Sequence, residues 1–469
     1  MVRTALLATV LTAFFPSDRE RAFEPDLSVR IDPCVELMSI VFRFAGNPEY
    51  GKARVDSYAS DVETWFGDHR DDPVVRLAAD LRRRNGVSFD AVMGFAVHLD
   101  GTTKLQPEVP LSPRPASLDE RWKNDAPKFL RALQKFATRT RFAEFFEQHQ
   151  ALYDTTVERM RARLAESAQL GWFEDFFGAR PTASFEVSLG LLNGGQCYGP
   201  HVLHKDGTED LHCVLGVWAT DDAGLPTFDE DVIPTVVHEF CHSYCNHQID
   251  AHEKQLVRAG TRMFAHVEEA MRRQAYGSWQ IMLKESLVRA CVIRYEAKTR
   301  GPRARDMEIR NQERCQFYWA GDLSDVLIEY EKGRESFATL ANFMPRVVEF
   351  FDEYSKRFEA EMASRPQVVS TVPEIGDQKV DPNLEALVIT FNTKMADRSW
   401  AFVGGGPKYP KTKSQPHYDE ACKVLTLAVE LEPDHEYEFW LNRGKFDSFR
   451  SATGKILEPV RFTFRTAKR

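Results

Sequence analysis

The sequence predicts an α+β fold: a mostly helical domain with a small sheet, followed by an all-β sandwich. Three observations predict it. Apolar residues recur at helical spacing over most of 26–365. A β-branched, alternating island interrupts them at 183–219. Beyond about residue 371 the runs alternate with period two.

At 469 residues the chain is too long for one ordinary domain. Arg3 precedes an apolar run from Ala5 to Phe15, which has the length of a signal-peptide core and is too short to span a bilayer. Residues 1–22 are therefore a candidate signal peptide, and export to the periplasm or outside is expected. No clean A-x-A cleavage site follows, so a cytoplasmic chain stays open. No later run is apolar and long enough for a membrane span. A net charge of −9 argues against nucleic acid, whose phosphates need a basic face. The 8 cysteines form no CxxC and most are expected as small buried apolar groups, with any disulfide left undecided.

Each element follows from its pattern. Residues 32–46, 125–165 and 336–363 carry helical apolar spacing. Residues 183–203 alternate and then break at Gly194-Gly195, and 211–219 is rich in β-branched and aromatic residues. The composition shifts at 364–376. Strands are expected at 386–395, 423–431, 437–442 and 460–466, separated by turn-rich stretches. Two domains result, 25–363 and 371–469.

The stretch "TVVHEFCHSYCNH" (235–247) carries the chemistry. With Pro234 as the first helical residue, His238 and His242 stand one turn apart on one face, about 40° from each other. Val236, Val237, Phe240 and Tyr244 fall on the far side. Two imidazoles at that spacing can grip one ion, and Zn²⁺ accepts imidazole nitrogen in tetrahedral sites. Glu239 falls about 100° from His238, beside the ion, where a base takes a proton from bound water. The helix is expected to stop near Asn246, a residue that tolerates a left-handed cap.

A third ligand is needed. Cys245 lies on the histidine face but two turns from His238, about 10 Å along the axis, too far to share its ion. Glu285, in "SWQIMLKESLVRACVIRYEA" (278–297), shares a face with Ile281, Val288 and Val292. A carboxylate in an apolar stripe needs a partner. A metal supplies one, and an ion pair with Arg289 is the competing explanation. Arg289 is also expected to orient the ligand when the metal is bound.

This two-helix arrangement resembles the gluzincin metallopeptidases, in which a later helix gives a glutamate ligand. A broader resemblance rests on "LSVRIDPCVELMSIVFRFAG" (27–46), "SLGLLNGGQCYG" (188–199) and "VVHEFCHSYCNH" (236–247). These look like a family of bacterial domains of unknown function with an HExxH helix, and imply a zinc-peptidase-like domain. The tail, with Leu431, Pro433 and Tyr437 and the closing stretch Phe462 to Thr466, resembles a bacterial Ig-like domain, a spacer or module for a surface partner.

The expectation for function is a zinc-dependent hydrolase cleaving a peptide or protein substrate. In zincins an edge strand ahead of the metal helix pairs with the substrate. "EVSLGLLNGGQCYG" (186–199) lies in the matching place, so Asn193 and Gly194 are candidate substrate contacts and Tyr198 a candidate oxyanion donor. His266, Tyr276 and Tyr318 are alternatives. The competing function is a non-enzymatic surface protein with a structural metal. A peptidase-like relic without zinc is a third.

Overall fold

The computed structural model describes residues 27–102, 105–108, 111 and 118–468, so the candidate signal peptide lies outside the described residues. The architecture is mixed α+β. The chain divides into two compact units, Met1–Ser243 and Tyr244–Arg469, and the division falls inside a single helix, α9 (Val232–Ala251).

The first unit opens with β1 (Leu27–Arg30). Asp32 caps the next helix, α1 (Pro33–Phe44), by accepting hydrogen bonds from the amides of Cys34 and Val35 at 2.7 and 2.9 Å. Then come α2 (Asp56–Phe66), α3 (Pro73–Asn85), α4 (Asp90–Ala96) and a short hairpin, β2 (Leu99–Asp100) and β3 (Gln106–Pro107). The helical pattern at 125–165 becomes three helices, α5 (Ala126–Arg139), α6 (Phe142–Gln148) and α7 (Gln150–Ser167). Arg141 sits in the left-handed region with φ 52°, which breaks the first from the second. Helix α8 (Trp172–Phe177) precedes β4 (Ala183–Gly190), β5 (Cys197–Tyr198), β6 (His201–Leu203), β7 (Glu209–Gly216), β8 (Ala219–Thr220) and β9 (Pro226–Thr227).

The main sheet runs β1-β4-β7-β5, with β6 also paired to β7. Strands β1, β4 and β7 are parallel, while β5 and β6 run antiparallel to β7. Alternation gives the sheet two unlike faces. Phe185, Val187, Leu211, Cys213 and Leu215 form the apolar one. Phe185 meets Phe173 of α8 and Phe240 of α9 at ring distances of 5.4 and 4.9 Å. The other face carries Ser184, Glu186 and Ser188 on β4 opposite Asp210, His212 and Val214 on β7.

The second unit holds α10 (Glu253–Arg273), α11 (Trp279–Thr299), α12 (Pro302–Arg314), α13 (Ala320–Lys332) and α14 (Leu340–Ala363). Gly260 lets α10 approach α11, because a Cβ there would stand 2.4 Å from the Trp279 ring. The strands follow from Val368: β10 (Val368–Val372), β11 (Ala386–Phe391), β12 (Phe402–Val403), β13 (Lys411–Thr412), β14 (His417–Tyr418), β15 (Val424–Glu430), β16 (Glu436–Leu441) and β17 (Val460–Arg465). One antiparallel sheet runs β10-β11-β15-β13, with β14 also on β15. A second runs β12-β16-β17. Leu387, Ile389, Leu425 and Leu427 of the first sheet and Phe439, Leu441, Phe462 and Phe464 of the second share one buried cluster. No helix among the described residues is long and apolar enough to cross a membrane.

Candidate metal centre

Helix α9 starts two residues before Pro234 and runs on to Ala251, past the stop expected near Asn246. Tertiary contacts override the cap signal there. Ile249 is buried and the Asp250 carboxylate lies 2.7 Å from the Lys284 ammonium of α11. The far face packs as its spacing requires, with Val236, Val237 and Phe240 fully buried. His238 and His242 remain half-buried, and their ring centres are 4.9 Å apart at an interplanar angle of 82°. Glu239 is only 6% exposed, and its Oε2 lies 4.0 Å from His242 Nε2.

The sheet edge comes close to this motif. A Cβ at Gly199 would stand 2.1 Å from the Glu239 carbonyl oxygen, so glycine is what lets the β5–β6 link touch the helix backbone. Burial, then the Glu239 charge, push the Cys197 thiol well up. Strand β5, at the end of the sheet order, therefore runs beside the glutamate.

The loop residues have mixed placements. Asn193 is fully buried and its Oδ1 accepts from the Ser39 hydroxyl at 2.9 Å. Gly194 has φ 57°, and a Cβ there would lie 2.6 Å from the Lys52 carbonyl. Both are built into a tight turn whose contacts are to the protein itself. Tyr198 is 7% exposed. Burial, then the Glu49 charge, push its phenol up, with Glu239 a lesser neighbour, so the hydroxyl is turned into the interior.

Glu285 is 6% exposed on α11. Arg289 Nη2 donates to Glu285 Oε2 at 3.1 Å and to the Tyr276 hydroxyl at 2.9 Å, while Nη1 donates to Gln312 Oε1 at 2.6 Å. The Arg289 guanidinium also stacks on Phe317 at 4.4 Å. The expected ion pair and the proposed ligand are thus present together. Of the alternative donors, Tyr276 stands beside Glu285. Tyr318 donates to Glu458 at 2.5 Å, and His266 packs on Phe358 at 5.5 Å. Cys245 is buried, its sulfur 3.8 Å from that of Cys291.

His238, His242 and Glu285 each offer a ligand atom within 4.8 Å of the others. Two ligands on one zinc stand ~3.4 Å apart at bond lengths of ~2.1 Å, which falls inside that 4.8 Å limit. The donor chemistry, two imidazoles and a carboxylate, is of the kind that would hold zinc. A second group of this kind, Glu108, His204 and Asp210, was not foreseen from the sequence. Its members are spread along the chain with no period to mark them.

No curated protein matches the chain. Similar chains among solved structures include the crystal structure of the S-layer protein rSbsC(31-844), at 15% identity and a TM-score of 0.17. They also include the structure of surface layer protein SbsC, domains 1-6, at 16% identity and a TM-score of 0.18. Each match covers 50% of this chain and 34% of the other. The chain thus spans about a third of the length of those proteins, and similarity at that level carries no argument. Residues 27–350 match a family model, and the chain belongs to that family, described as a domain of unknown function (DUF4932).

Proposed function

We propose that the protein is a zinc-dependent hydrolase, most simply a metallopeptidase. The observation that carries this reading is the convergence of His238, His242 and Glu285 with Glu239 buried one residue along the same helix. His238, His242 and Glu285 would hold the ion. When bound, zinc supplies a Lewis acid and water of lowered pKa. The Glu239 carboxylate takes a proton from the attacking water and returns it to the leaving amine. Arg289 holds the Glu285 carboxylate in place. Strand β5 offers an edge along which an extended peptide can pair beside Glu239. Tyr276, tied to Arg289, is a better-placed candidate for the oxyanion than the inward-turned Tyr198. Asn193 and Gly194 act by shaping the turn before β5.

A structural metal fits less well. The group has three members among the described residues, and both histidines are half-buried rather than enclosed. The two-sheet C-terminal segment is best understood as an Ig-like module, a rigid appendage for a surface partner. Its strand spacing and shared core support that. The test is hydrolysis of dye-labelled casein and a mixture of quenched fluorogenic peptides by wild type and Glu239→Gln. The proposal expects cleavage by wild type and cleavage slowed about 10²–10⁴-fold in the variant at equal zinc content. Equal cleavage by both contradicts it.

A further inference from the structure

The polar face of the main sheet is not used by the chemistry above. It is an unusual surface to bury. Glu186 and His212, opposite each other on β4 and β7, have side chains only 14% and 4% exposed. Burial alone would raise the Glu186 carboxyl, but the contact with His212, Arg30 and the Ser188 hydroxyl brings it down to about 2. His212 Nδ1 stands 3.2 Å from Glu186 Oε1, yet neither ring nitrogen has the alignment of a hydrogen bond. His98 lies within electrostatic reach of His212. It is fully buried, with Nδ1 2.6 Å from the Gly94 carbonyl, which assigns the proton to Nδ1 and the lone pair to Nε2.

At the rim of this face three segments converge. His204, at the head of the tight turn leading into β7, has Nε2 2.6 Å from Asp210 Oδ2. Strand pairing carries the third group in, because the amide after β3 donates to the His98 carbonyl at 3.0 Å and so sets Glu108 at the same place. One ligand atom from each of Glu108, His204 and Asp210 lies within 4.8 Å of the other two. Two carboxylates brought together repel unless a cation stands between them. Arg30, the nearby guanidinium, is committed to Asp32 and Glu186, each at 2.8 Å. An imidazole hydrogen-bonded to one carboxylate explains that pair, but it does not explain the second carboxylate held at the same point.

We propose that Glu108, His204 and Asp210 form a second site for a divalent first-row transition cation, independent of the group on α9 and α11. The imidazole and two carboxylates are borderline-hard donors suited to zinc, cobalt, nickel or manganese. The cation would tie the β2–β3 hairpin to the β6–β7 edge, with the buried His212 and Glu186 lying behind it.

The test is metal stoichiometry of the full chain at a buffered free zinc concentration, for wild type, His204→Ala, Asp210→Asn and His238→Ala. Two zinc ions per chain in wild type and one in each variant support the proposal. One ion lost with His204→Ala and kept with His238→Ala also supports it, and removes the hydrolase reading instead. Stoichiometry unchanged by both His204→Ala and Asp210→Asn overturns it, as does no binding by wild type. Glu108→Gln, on the exposed hairpin, guards against misfolding. With an unaltered circular dichroism spectrum, it should weaken one zinc site by at least about tenfold, and unchanged affinity overturns the proposal.

Discussion

Helix α9 and the rim of the main sheet each gather imidazole and carboxylate, but they are built on different supports. On α9 the two histidines are fixed by one turn of helix, and Glu285 is gripped by Arg289, which also binds Tyr276 and Gln312. The rim group comes from a hairpin, a turn and a strand, with Glu108 exposed and the side chains of His204 and Asp210 24% and 33% exposed. A pre-positioned ligand set loses little freedom on binding, whereas a set spread over loops must be ordered by the ion. The α9 group should therefore bind zinc more tightly, and the rim group should stiffen its segments when filled.

The comparison is broken most severely at Glu239. Glu239→Gln should lower hydrolysis by about 10²–10⁴-fold, the usual weight of a general base, with zinc bound as in wild type. Steady-state cleavage of the fluorogenic peptides together with metal analysis checks both halves. A smaller effect is expected behind β5. Glu36 Oε1 accepts from the Leu191 amide at 2.7 Å and Oε2 from the Tyr58 hydroxyl at 2.7 Å, so it anchors the turn leading to that strand. Burial raises its carboxyl to about 7 against those hydrogen bonds. The raised value means that the folded state holds a proton the unfolded chain has lost. This stabilisation is full below the ordinary glutamate range and disappears as pH rises through about 7. It amounts to at most about 3 kcal/mol. Denaturant unfolding from pH 5 to 8 should show the fall, and Glu36→Gln should remove that part of it. A pH profile identical in the variant would contradict the assignment.

Arg289→Lys sharpens the contrast between the groups. A lysine cannot serve Glu285, Tyr276 and Gln312 at once, so zinc affinity at the α9 group should drop about 10–100-fold while the rim group is untouched. Competition titration with a zinc chelator measures both. The smallest change is expected at Lys455, which bonds Glu361 and Ser364 at the partly exposed junction of α14 with the C-terminal strands. Lys455→Ala should cost about 0.2–1 kcal/mol in denaturant unfolding and leave zinc content unchanged.

What the sequence made legible follows from the same contrast. His238 and His242 are four residues apart, so helix period alone puts them together, and the apolar neighbours Val236, Val237 and Phe240 mark the buried side. The stripe that drew attention to Glu285 is only partly apolar core: Val288 and Val292 are buried, whereas Ile281, at the start of α11, is 40% exposed, and the buried Glu285 carboxylate has its partner in Arg289. The strands at 424–430, 436–441 and 460–465 were readable from their alternation. Strand β1 was not, because four residues with half-exposed ends carry too little pattern. Asn246 misled, since a residue that can end a helix does so only where packing allows. Glu108, His204 and Asp210 are joined by strand pairing across distant segments, which leaves no local trace in the chain.

X-ray absorption at the zinc edge of the His204→Ala variant, loaded with zinc, tests the central claim most directly. The α9 group predicts nitrogen and oxygen scatterers at ~2.0–2.2 Å and none of sulfur, with two imidazole signatures that His238→Ala removes. Sulfur at ~2.3 Å would move the ion to the cysteines, and a variant that binds no zinc at all would leave the α9–α11 group without a metal.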